Sequence, residues 1–164
     1  MPVELRIFKA NLDDDTHALW TLELLDAYAR DSMGAGEPLS EFARQHVIAG
    51  LKAQPGTVIL IAAHAQANVG LAICFRGFST FAARPLLNIS DFYVDPVARG
   101  GGIGRALMNA IEREARELGC CKLTLEVQEN NHRARALYAA AGFSQAVHVA
   151  EAGGALFLSK SLLP

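Results

Sequence analysis

Apolar and polar positions along this chain repeat with two different periods, and each period predicts its own kind of element. Apolar residues recur at helical spacing in four segments, which are residues 13–31, about 40–54, 103–118 and 132–141. Gly119 directly follows the third segment and Gly142 the fourth, as expected where a helix ends. The pattern therefore predicts four helices.

Strand-like runs fill the intervals between these helices. They are Val3–Ala10, Thr57–His64, Val69–Phe78, Leu86–Val94 and "KLTLEVQ" at 122–128, and the tail from Phe143 to Ser161 suggests two final strands. The separators between the second, third and fourth runs are short enough for antiparallel hairpins. The predicted order is β-α-α-β-β-β-α-β-α-β-β, an α/β fold whose central sheet is mixed, mostly antiparallel and flanked by helices.

Composition favours one packed domain that spans residues 1–164. Of the 164 residues, 51% are apolar and 20% are charged, which fits a globular core. The longest apolar runs, such as "TVILIAA", are too short to span a bilayer, and no apolar signal segment opens the chain. Three cysteines, two of them adjacent, do not resemble a disulfide framework. We therefore expect a cytoplasmic protein without membrane association and with three buried, reduced thiols.

Charge is nearly balanced overall but uneven along the chain. A net charge of −2 argues against a nucleic-acid partner, because binding to nucleic acid depends on neutralising phosphates. Residues 1–50 carry nine acids against four bases, whereas residues 51–164 carry eight acids against eleven bases. A cationic ligand would therefore favour the first part of the chain, and an anionic ligand the second.

The stretch "VDPVARGGGIGRALMNAIERE" at 94–114 joins a strand end to a helix start through four glycines. Glycines there expose backbone N–H groups, and a helix N-terminus carries partial positive charge, so this loop suits a phosphate. The nucleoside-triphosphate pattern G-x-x-x-x-G-K-[ST] fails, because no Lys-Ser or Lys-Thr follows the glycines. The dinucleotide pattern G-x-G-x-x-G fails as well, since its last position falls on Arg105 or Leu107. The phosphate therefore belongs to a ligand of another class.

Two motifs frame the helix that follows this loop. The segment "RGGGIG" at Arg99–Gly104 matches the pattern [QR]-x-x-G-x-[GA], and "LEVQENNHRARALYAAAGF" follows at Leu125–Phe143. Both resemble the GNAT (Gcn5-related N-acetyltransferase) superfamily, which has the two motifs in this order. The resemblance is firm from about Val69 to Phe143 and fades toward both ends. It implies a GNAT-like fold and transfer of an acetyl group from acetyl-CoA to an amine.

The resemblance also implies where acetyl-CoA binds. Its diphosphate would lie on the loop residues Arg99, Gly100, Gly101, Gly102, Ile103, Gly104 and Arg105. The pantetheine arm would pair, like an added strand, with backbone groups of Phe92, Tyr93 and Val94. Asn131 would contact the cofactor amides, although an asparagine directly before a helix also suits an N-cap.

Acetyl transfer to an amine needs a base for the amine and an acid for the departing thiolate. The resemblance makes Tyr138 the acid, although its helical spacing also suits a core residue. Two carboxylates are candidates for the base: Glu126, twelve residues before Tyr138, and Asp91, on the strand beside the pantetheine. Either could instead be a solvated or salt-bridged carboxylate. A base that acts through ordered water, with no single essential carboxylate, also stays open.

Further features bear on these candidates. Strand alternation places Glu126 opposite Leu125 and Val127, as expected beside a cleft, and its spacing from Tyr138 resembles that of ribosomal-protein alanine acetyltransferases. Ser90 replaces the glutamate of the Glu-Asp pair in polyamine acetyltransferases, which weakens the resemblance to them. The histidines show no metal-like spacing, so no metal is expected; they are His17, His46, His64, His132 and His148.

The acceptor is expected to enter between the first two helices and the sheet, where the acidic excess lies. The acidic residues of this region are Asp13–Asp15, Asp26, Asp31, Glu37 and Glu41. They favour a small cationic amine as the acceptor. After loss of a proton to the base, this amine would attack the acetyl thioester directly. The alternatives are acetylation of a protein N-terminus or lysine, and a non-catalytic module that binds coenzyme A for regulation. Because dimers are frequent in this superfamily, a homodimer is a further expectation.

Overall fold

The described part of the chain, residues 4–147 and 149–163, contains five strands and four α-helices in the computed structural model. In chain order they are β1 (Arg6–Lys9), α1 (Asp15–Arg30), α2 (Glu41–Ala53), β2 (Thr57–His64), β3 (Ala67–Ser79), β4 (Arg84–Val94), α3 (Ile103–Glu117), β5 (Leu123–Leu125) and α4 (His132–Ala140). The four predicted helices are confirmed, and so are the first five strands, although the fifth is shorter than predicted and Val3 lies outside the described residues. The chain forms two compact units, one ending at Leu125 and the other beginning at Glu126.

The five strands form one sheet in the order β1-β2-β3-β4-β5. Strands β1 to β4 pair antiparallel with their neighbours, whereas β5 pairs parallel with β4. A two-residue turn joins β2 to β3, and its residues Ala65 and Gln66 both have positive φ, as tight hairpins require. The predicted α/β class with a mixed, mostly antiparallel sheet flanked by helices is therefore confirmed.

Helices cover both faces of this sheet, because alternate strand residues carry apolar side chains in opposite directions. On one face, leucines of α1 and α2 pack against strand residues; this cluster contains Leu24, Leu25, Leu51, Ile59, Ile61, Leu71, Ile73 and Tyr93. On the other face, Ile103 of α3 packs against Ala62 and Val69. We refer to these as the α1–α2 face and the α3 face.

The start of α3 is held at the end of β4. Ile103, the first residue of the helix, packs beside Val94, the last residue of that strand. Close packing on the sheet also requires the absence of a side chain at Gly70 in β3. A β-carbon there would lie 3.1 Å from the Ala62 β-carbon and 3.6 Å from Leu107 Cδ2 of α3. The sheet therefore fixes the position from which α3 presents its first amides.

The two final strands predicted between Phe143 and Ser161 do not form in the described residues of that segment. Pairing there is limited to one antiparallel bridge, Val147 with Gly154, on either side of a short 3-10 helix at Ala150–Ala152. The apolar pattern that predicted strands is not buried, since Leu156, Phe157 and Leu158 are exposed. Strand propensity reflects a fit to a half-buried surface, so an apolar pattern without burial does not extend the pairing.

The three cysteines are free thiols in different environments. Cys74 is buried, and burial, followed by the charges of Asp91 and Glu114, raises the pKa of its thiol to about 12. Cys120 is half-buried and Cys121 is exposed, so the expectation of three buried thiols is wrong for these two. Both lie in the short connection between α3 and β5, where a core environment is not available.

Within residues 4–147 and 149–163, no helix combines the length and the apolar character needed to cross a membrane. In the same ranges, no three His, Cys, Asp or Glu side chains are grouped so that they could hold a metal ion.

Candidate active site

The glycine loop before α3 leaves open space in front of its backbone. Gly100 and Gly102 have φ values of +85° and +81°, which residues with a side chain rarely adopt. A β-carbon on either residue would meet no atom within 4 Å. These glycines are therefore needed for the backbone turn and for exposing it, and not for close packing inside the protein.

The first turn of α3 presents unpaired donors to that space. Gly102 is the N-cap residue, and no side chain caps the helix there. The Ala106 N–H makes the first intrahelical bond, to the Gly102 carbonyl at 3.0 Å. The amides of Ile103, Gly104 and Arg105 consequently have no acceptor within the helix. Together with the helix dipole they form an anion site, which is the environment predicted for a diphosphate.

The segment that leads into the loop is held by Asp95. Its N–H donates to the Val69 carbonyl at 2.8 Å, and its Oδ1 accepts from the Val97 N–H at 3.0 Å. The Asp95 carbonyl also accepts from the Ala98 N–H at 2.9 Å. The loop therefore leaves the sheet at a fixed point.

Arg99 makes a second anchor at the same place. Its Nε donates to the Val94 carbonyl at 2.8 Å, and its Nη2 donates to Asp31 Oδ2 at 2.7 Å. Asp31 directly follows α1, so this ion pair joins the cofactor-side loop to the helix on the α1–α2 face. The guanidinium is thus engaged with protein groups, in contrast to the expectation that it faces the diphosphate.

A one-residue bulge in β4 orients the candidate base. Asp91 lies opposite Ile73, but Ile89 lies opposite Cys74, so Ser90 is the extra residue. Residues directly opposite each other share a face of the sheet, and Ile73 belongs to the α1–α2 face. The bulge therefore places Asp91 on the face that carries α1 and α2.

The same bulge determines which backbone groups face the edge of β4. Because the Asp95 N–H bonds to the Val69 carbonyl, the alternation of an antiparallel ladder directs the backbone of Tyr93 toward β3. Phe92 and Val94 then direct their backbone groups toward the opposite edge. On that edge the ladder with β5 covers only residues before the bulge. An added pantetheine strand would thus use Phe92 and Val94, whereas Tyr93 differs from the expectation and contributes its side chain.

Two tyrosines flank Asp91 on the α1–α2 face. The rings of Tyr28 in α1 and Tyr93 in β4 lie 5.8 Å apart and are inclined by 34°. Burial, followed by the charges of Asp91 and Asp31, raises the pKa of the Tyr28 phenol. Burial, followed by Asp95 and Asp31, likewise raises the pKa of Tyr93. Both phenols are therefore neutral at physiological pH.

Asp91 itself is a half-buried carboxylate that lacks a protein partner in the described ranges. Burial raises its pKa, and no ion pair or hydrogen bond from those residues counteracts this effect. Since fully enclosed polar side-chain atoms in the described residues all have partners, the Asp91 oxygens reach solvent. A carboxyl with a raised pKa is a better proton acceptor than an ordinary one.

The remaining candidates lie in the unit that begins at Glu126. Glu126 is exposed, and it follows β5, which ends at Leu125. The prediction that strand alternation orients Glu126 is therefore wrong, because β5 ends before this residue. Asn131 is the N-cap of α4 and accepts from the Ala134 N–H at 3.2 Å. Tyr138 is buried, with its ring 5.9 Å from that of Phe143.

The fold and both motifs are shared with known proteins. Residues 16–143 match the model of the acetyltransferase (GNAT) family. The chain belongs to the GNAT family. This confirms the resemblance inferred from the two motifs, and it extends the match toward the N-terminus to include α1.

Curated GNAT relatives are similar over part of their length. The N-acetyltransferase YhfO of Bacillus subtilis (strain 168) is 32% identical over 54% of this chain and 60% of its own. Thialysine N-epsilon-acetyltransferase of Bos taurus is 36% identical over 45% of this chain and 43% of its own. The matches thus span about half the length of these relatives.

A solved GNAT structure covers nearly the whole chain. The aminoglycoside N-acetyltransferase AAC(6')-Iy, in complex with CoA, has a TM-score of 0.71 and covers 98% of this chain and 97% of its own. The identity is 18%, so this likeness shows the fold.

Sequence patterns did not identify Tyr28 as a site residue. Tyr28 stands at helical spacing from the buried Leu24 and Leu25, a position typical of the core. Its role beside Asp91 depends on the packing of α1 on β4, which no local pattern reports. The hydroxyl of Tyr28 was the one local indication of a site role, because it adds a polar group near the end of an otherwise aliphatic helix face.

The predicted acidic surface is partly neutralised, because three of its seven acids form ion pairs with basic side chains. Asp14 caps α1 and Asp13 pairs with Lys52. Asp26 accepts from Arg30 and Arg44, and Asp31 accepts from Arg99; these ion pairs are recorded at 2.9, 3.0 and 2.7 Å. Asp91, which has no ion-pair partner among the described residues, therefore adds to the negative charge left on the α1–α2 face.

Gly102→Asp should abolish coenzyme A binding, whereas Gly119→Asp should not. The two glycines stand at opposite ends of α3, with φ values of +81° and +70°, and a β-carbon at either would meet open space. Backbone strain costs about 1 kcal/mol in both variants, but only the change at 102 places a carboxylate in front of the helix amides. Calorimetry with coenzyme A and thermal melts would measure both effects. Wild-type affinity in Gly102→Asp would contradict the assignment.

Proposed function

We propose that this chain is an N-acetyltransferase that transfers the acetyl group of acetyl-CoA to a primary amine, with a small cationic amine as the acceptor. The observation that carries this proposal is an anion site and an unpaired carboxylate at the two ends of one strand segment. Uncapped amides of α3 follow Val94, and Asp91 lies three residues earlier on the α1–α2 face. GNAT membership supports the donor, and the geometry supports the acceptor.

Acetyl-CoA supplies the activated acetyl group as a thioester. Its diphosphate would be held by the amides from Gly102 to Arg105, in the space that Gly100 and Gly102 leave open. Its pantetheine arm would pair with backbone groups of Phe92 and Val94 at the β4 edge. Asn131 can assist only through groups not used in capping α4, and its role stays a prediction.

Asp91 is the proposed base. An amine acceptor arrives mostly protonated, since its pKa is about 10, and must lose that proton before it attacks. Burial raises the pKa of Asp91, which improves its ability to accept the proton at Oδ, directly or through one water. Glu126 is exposed and lacks comparable confinement, so the geometry favours Asp91 over it.

Tyr138 is the proposed acid. The hydroxyl would donate its proton to the departing sulfur, and the phenol would regain a proton from solvent. Two properties support this role: its match to the tyrosine of the second motif, and a buried ring that is held beside Phe143. We propose, as the sequence predicts, that residues 1–164 form one acetyltransferase domain.

The acceptor class follows from the side chains around Asp91. A carboxylate provides a counter-charge for an ammonium group, and the ring of the half-buried Tyr28, which Tyr93 supports from the core, can stabilise the same cation. Relatives named for thialysine and aminoglycosides also take amine-bearing substrates. These observations favour a small acceptor that carries a second positive charge.

A panel of amines tests the function. Coenzyme A release should be faster with diamines and amino sugars than with neutral amines of similar size, and the difference should shrink at high salt. Mass spectrometry of each acceptor should show one added acetyl group. Faster acetylation of peptide amines would favour the protein-acetylating alternative. Saturable binding of acetyl-CoA with no thiol release by any amine would favour a regulatory module.

Asp91→Asn should lower kcat and remove the acidic limb of its pH profile. In the wild type, the base must be deprotonated, so kcat falls as pH falls through the raised pKa of Asp91. This limb should therefore lie above the ordinary carboxyl range. Glu126→Gln serves as the matched control and should keep both kcat and the limb. If Glu126→Gln loses the limb and Asp91→Asn keeps it, the base is Glu126.

Tyr138→Phe should lower kcat by about 10²-fold while the affinity for acetyl-CoA stays nearly unchanged. The change removes only the hydroxyl, so the buried ring and its contact with Phe143 are kept. Pre-steady-state kinetics and calorimetry would separate the two quantities. Wild-type turnover in this variant would place Tyr138 in the core alone.

A further inference from the structure

Arg99 divides its guanidinium between two protein acceptors. Nε donates to the Val94 carbonyl at 2.8 Å and Nη2 donates to Asp31 Oδ2 at 2.7 Å. The ion pair is shielded, with the Arg99 side chain 27% and the Asp31 side chain 9% exposed. The planar fork of an arginine suits this double contact, because its donors have a fixed spacing.

Asp31 is itself fixed by the end of α1. Its N–H donates to the Ala27 and Tyr28 carbonyls at 3.2 and 3.0 Å, and its Oδ1 accepts from the Met33 N–H at 2.9 Å. Burial opposes ionisation, but the Met33 amide and Arg99 outweigh it and hold the pKa of Asp31 below its ordinary value. Arg99 therefore bonds to an ionised group that cannot shift independently of α1.

These contacts form a closed series that connects the end of α1 with the end of β4. Arg99 joins Asp31, the Asp31 N–H bonds to the Tyr28 carbonyl, and the Tyr28 ring contacts the Tyr93 ring. Tyr93 is bonded along the chain to Val94, whose carbonyl accepts from Arg99. Arg99 thus links the end of α1 directly to the end of β4, beside the apolar packing of α1 on the sheet.

We propose that Arg99 is a positioning residue for the acceptor, which sets the spacing of Tyr28 and Tyr93 beside Asp91 and leaves the diphosphate to the loop amides. This inference rests on the proposed function. It differs from the role that the first motif implies for Arg99. The entry to the loop is held separately by the three Asp95 hydrogen bonds, so the anion site does not require Arg99.

Arg99→Gln and Arg99→Lys test the proposal. Neither side chain can bridge Val94 and Asp31 as the guanidinium does, so both variants should raise the acceptor KM about tenfold or more. The affinity for coenzyme A, measured by calorimetry, should stay within about threefold of wild type and keep its salt dependence. If Arg99→Gln weakens coenzyme A binding about tenfold and Arg99→Lys restores it, the arginine acts on the diphosphate and the proposal is wrong.

Asp31→Asn approaches the same contact from its other end. It should raise the acceptor KM as Arg99→Gln does, and the double variant should be no worse than either single variant, since one interaction is lost in each case. Tighter coenzyme A binding by Asp31→Asn would mean that a released guanidinium reaches the phosphates, which contradicts the proposal. Additive losses in the double variant would contradict it as well.

Arg44→Gln is the matched control. Arg44 pairs with Asp26 of α1 at 3.0 Å, and this ion pair has no connection to β4. The acceptor KM of Arg44→Gln should equal that of wild type. A rise as large as that of Arg99→Gln would indicate that any lost ion pair of α1 loosens the acceptor side, and this result would overturn the proposal. Acceptor affinity measured by calorimetry with coenzyme A and no acetyl donor gives the same comparison without turnover. A wild type that binds amines but does not acetylate them would therefore refute the proposed function alone.

Discussion

Backbone amides at the start of α3 must be satisfied by something outside the helix. Gly102 has no side chain that could cap them, and the open space before Gly100 and Gly102 keeps neighbouring groups away. Burial of Ile103 and Leu107 holds the helix on the sheet, so it cannot rotate its N-terminus toward an internal acceptor. An anion with several oxygens would satisfy these donors with charge-assisted bonds, which are stronger than bonds to neutral acceptors.

The two sides of the site use different physics. The proposed donor side depends on fixed backbone dipoles. These dipoles do not titrate, and they tolerate changes in the neighbouring side chains. The acceptor side depends on side chains: one carboxylate whose pKa is raised by burial and two rings that cannot move apart while Arg99 bridges Val94 and Asp31. Specificity among acceptors is therefore open to change by substitution, whereas the donor site is constrained by the absence of side chains.

Local features of the sequence were sufficient for much of the fold. Helix ends at Gly119 and Gly142, hairpins between short-separated strands and the glycine loop before α3 all follow from interactions within a few residues. The failures involve longer distances. The ion pair of Arg99 joins residues 68 positions apart, and Tyr28 becomes a site residue only when α1 packs on β4. Glu126 was oriented by an alternation that ends with β5 at Leu125, since only three residues of that strand find partners on β4.

The bulge at Ser90 determines which face of the sheet the following residues of β4 occupy. Among the described residues, the Ser90 side chain makes one hydrogen bond, which it accepts from Asn88 Nδ2 at 3.0 Å, so many residues could occupy this position. If Ser90 instead paired regularly with Ile73, the register would shift by one: Asp91 would fall opposite Ala72 and Tyr93 opposite Gly70, on the side that α3 covers. Loss of the bulge with Ser90 still in the strand would therefore turn both side chains of the proposed site to the wrong face in a single step, with no change in the residues that carry the chemistry.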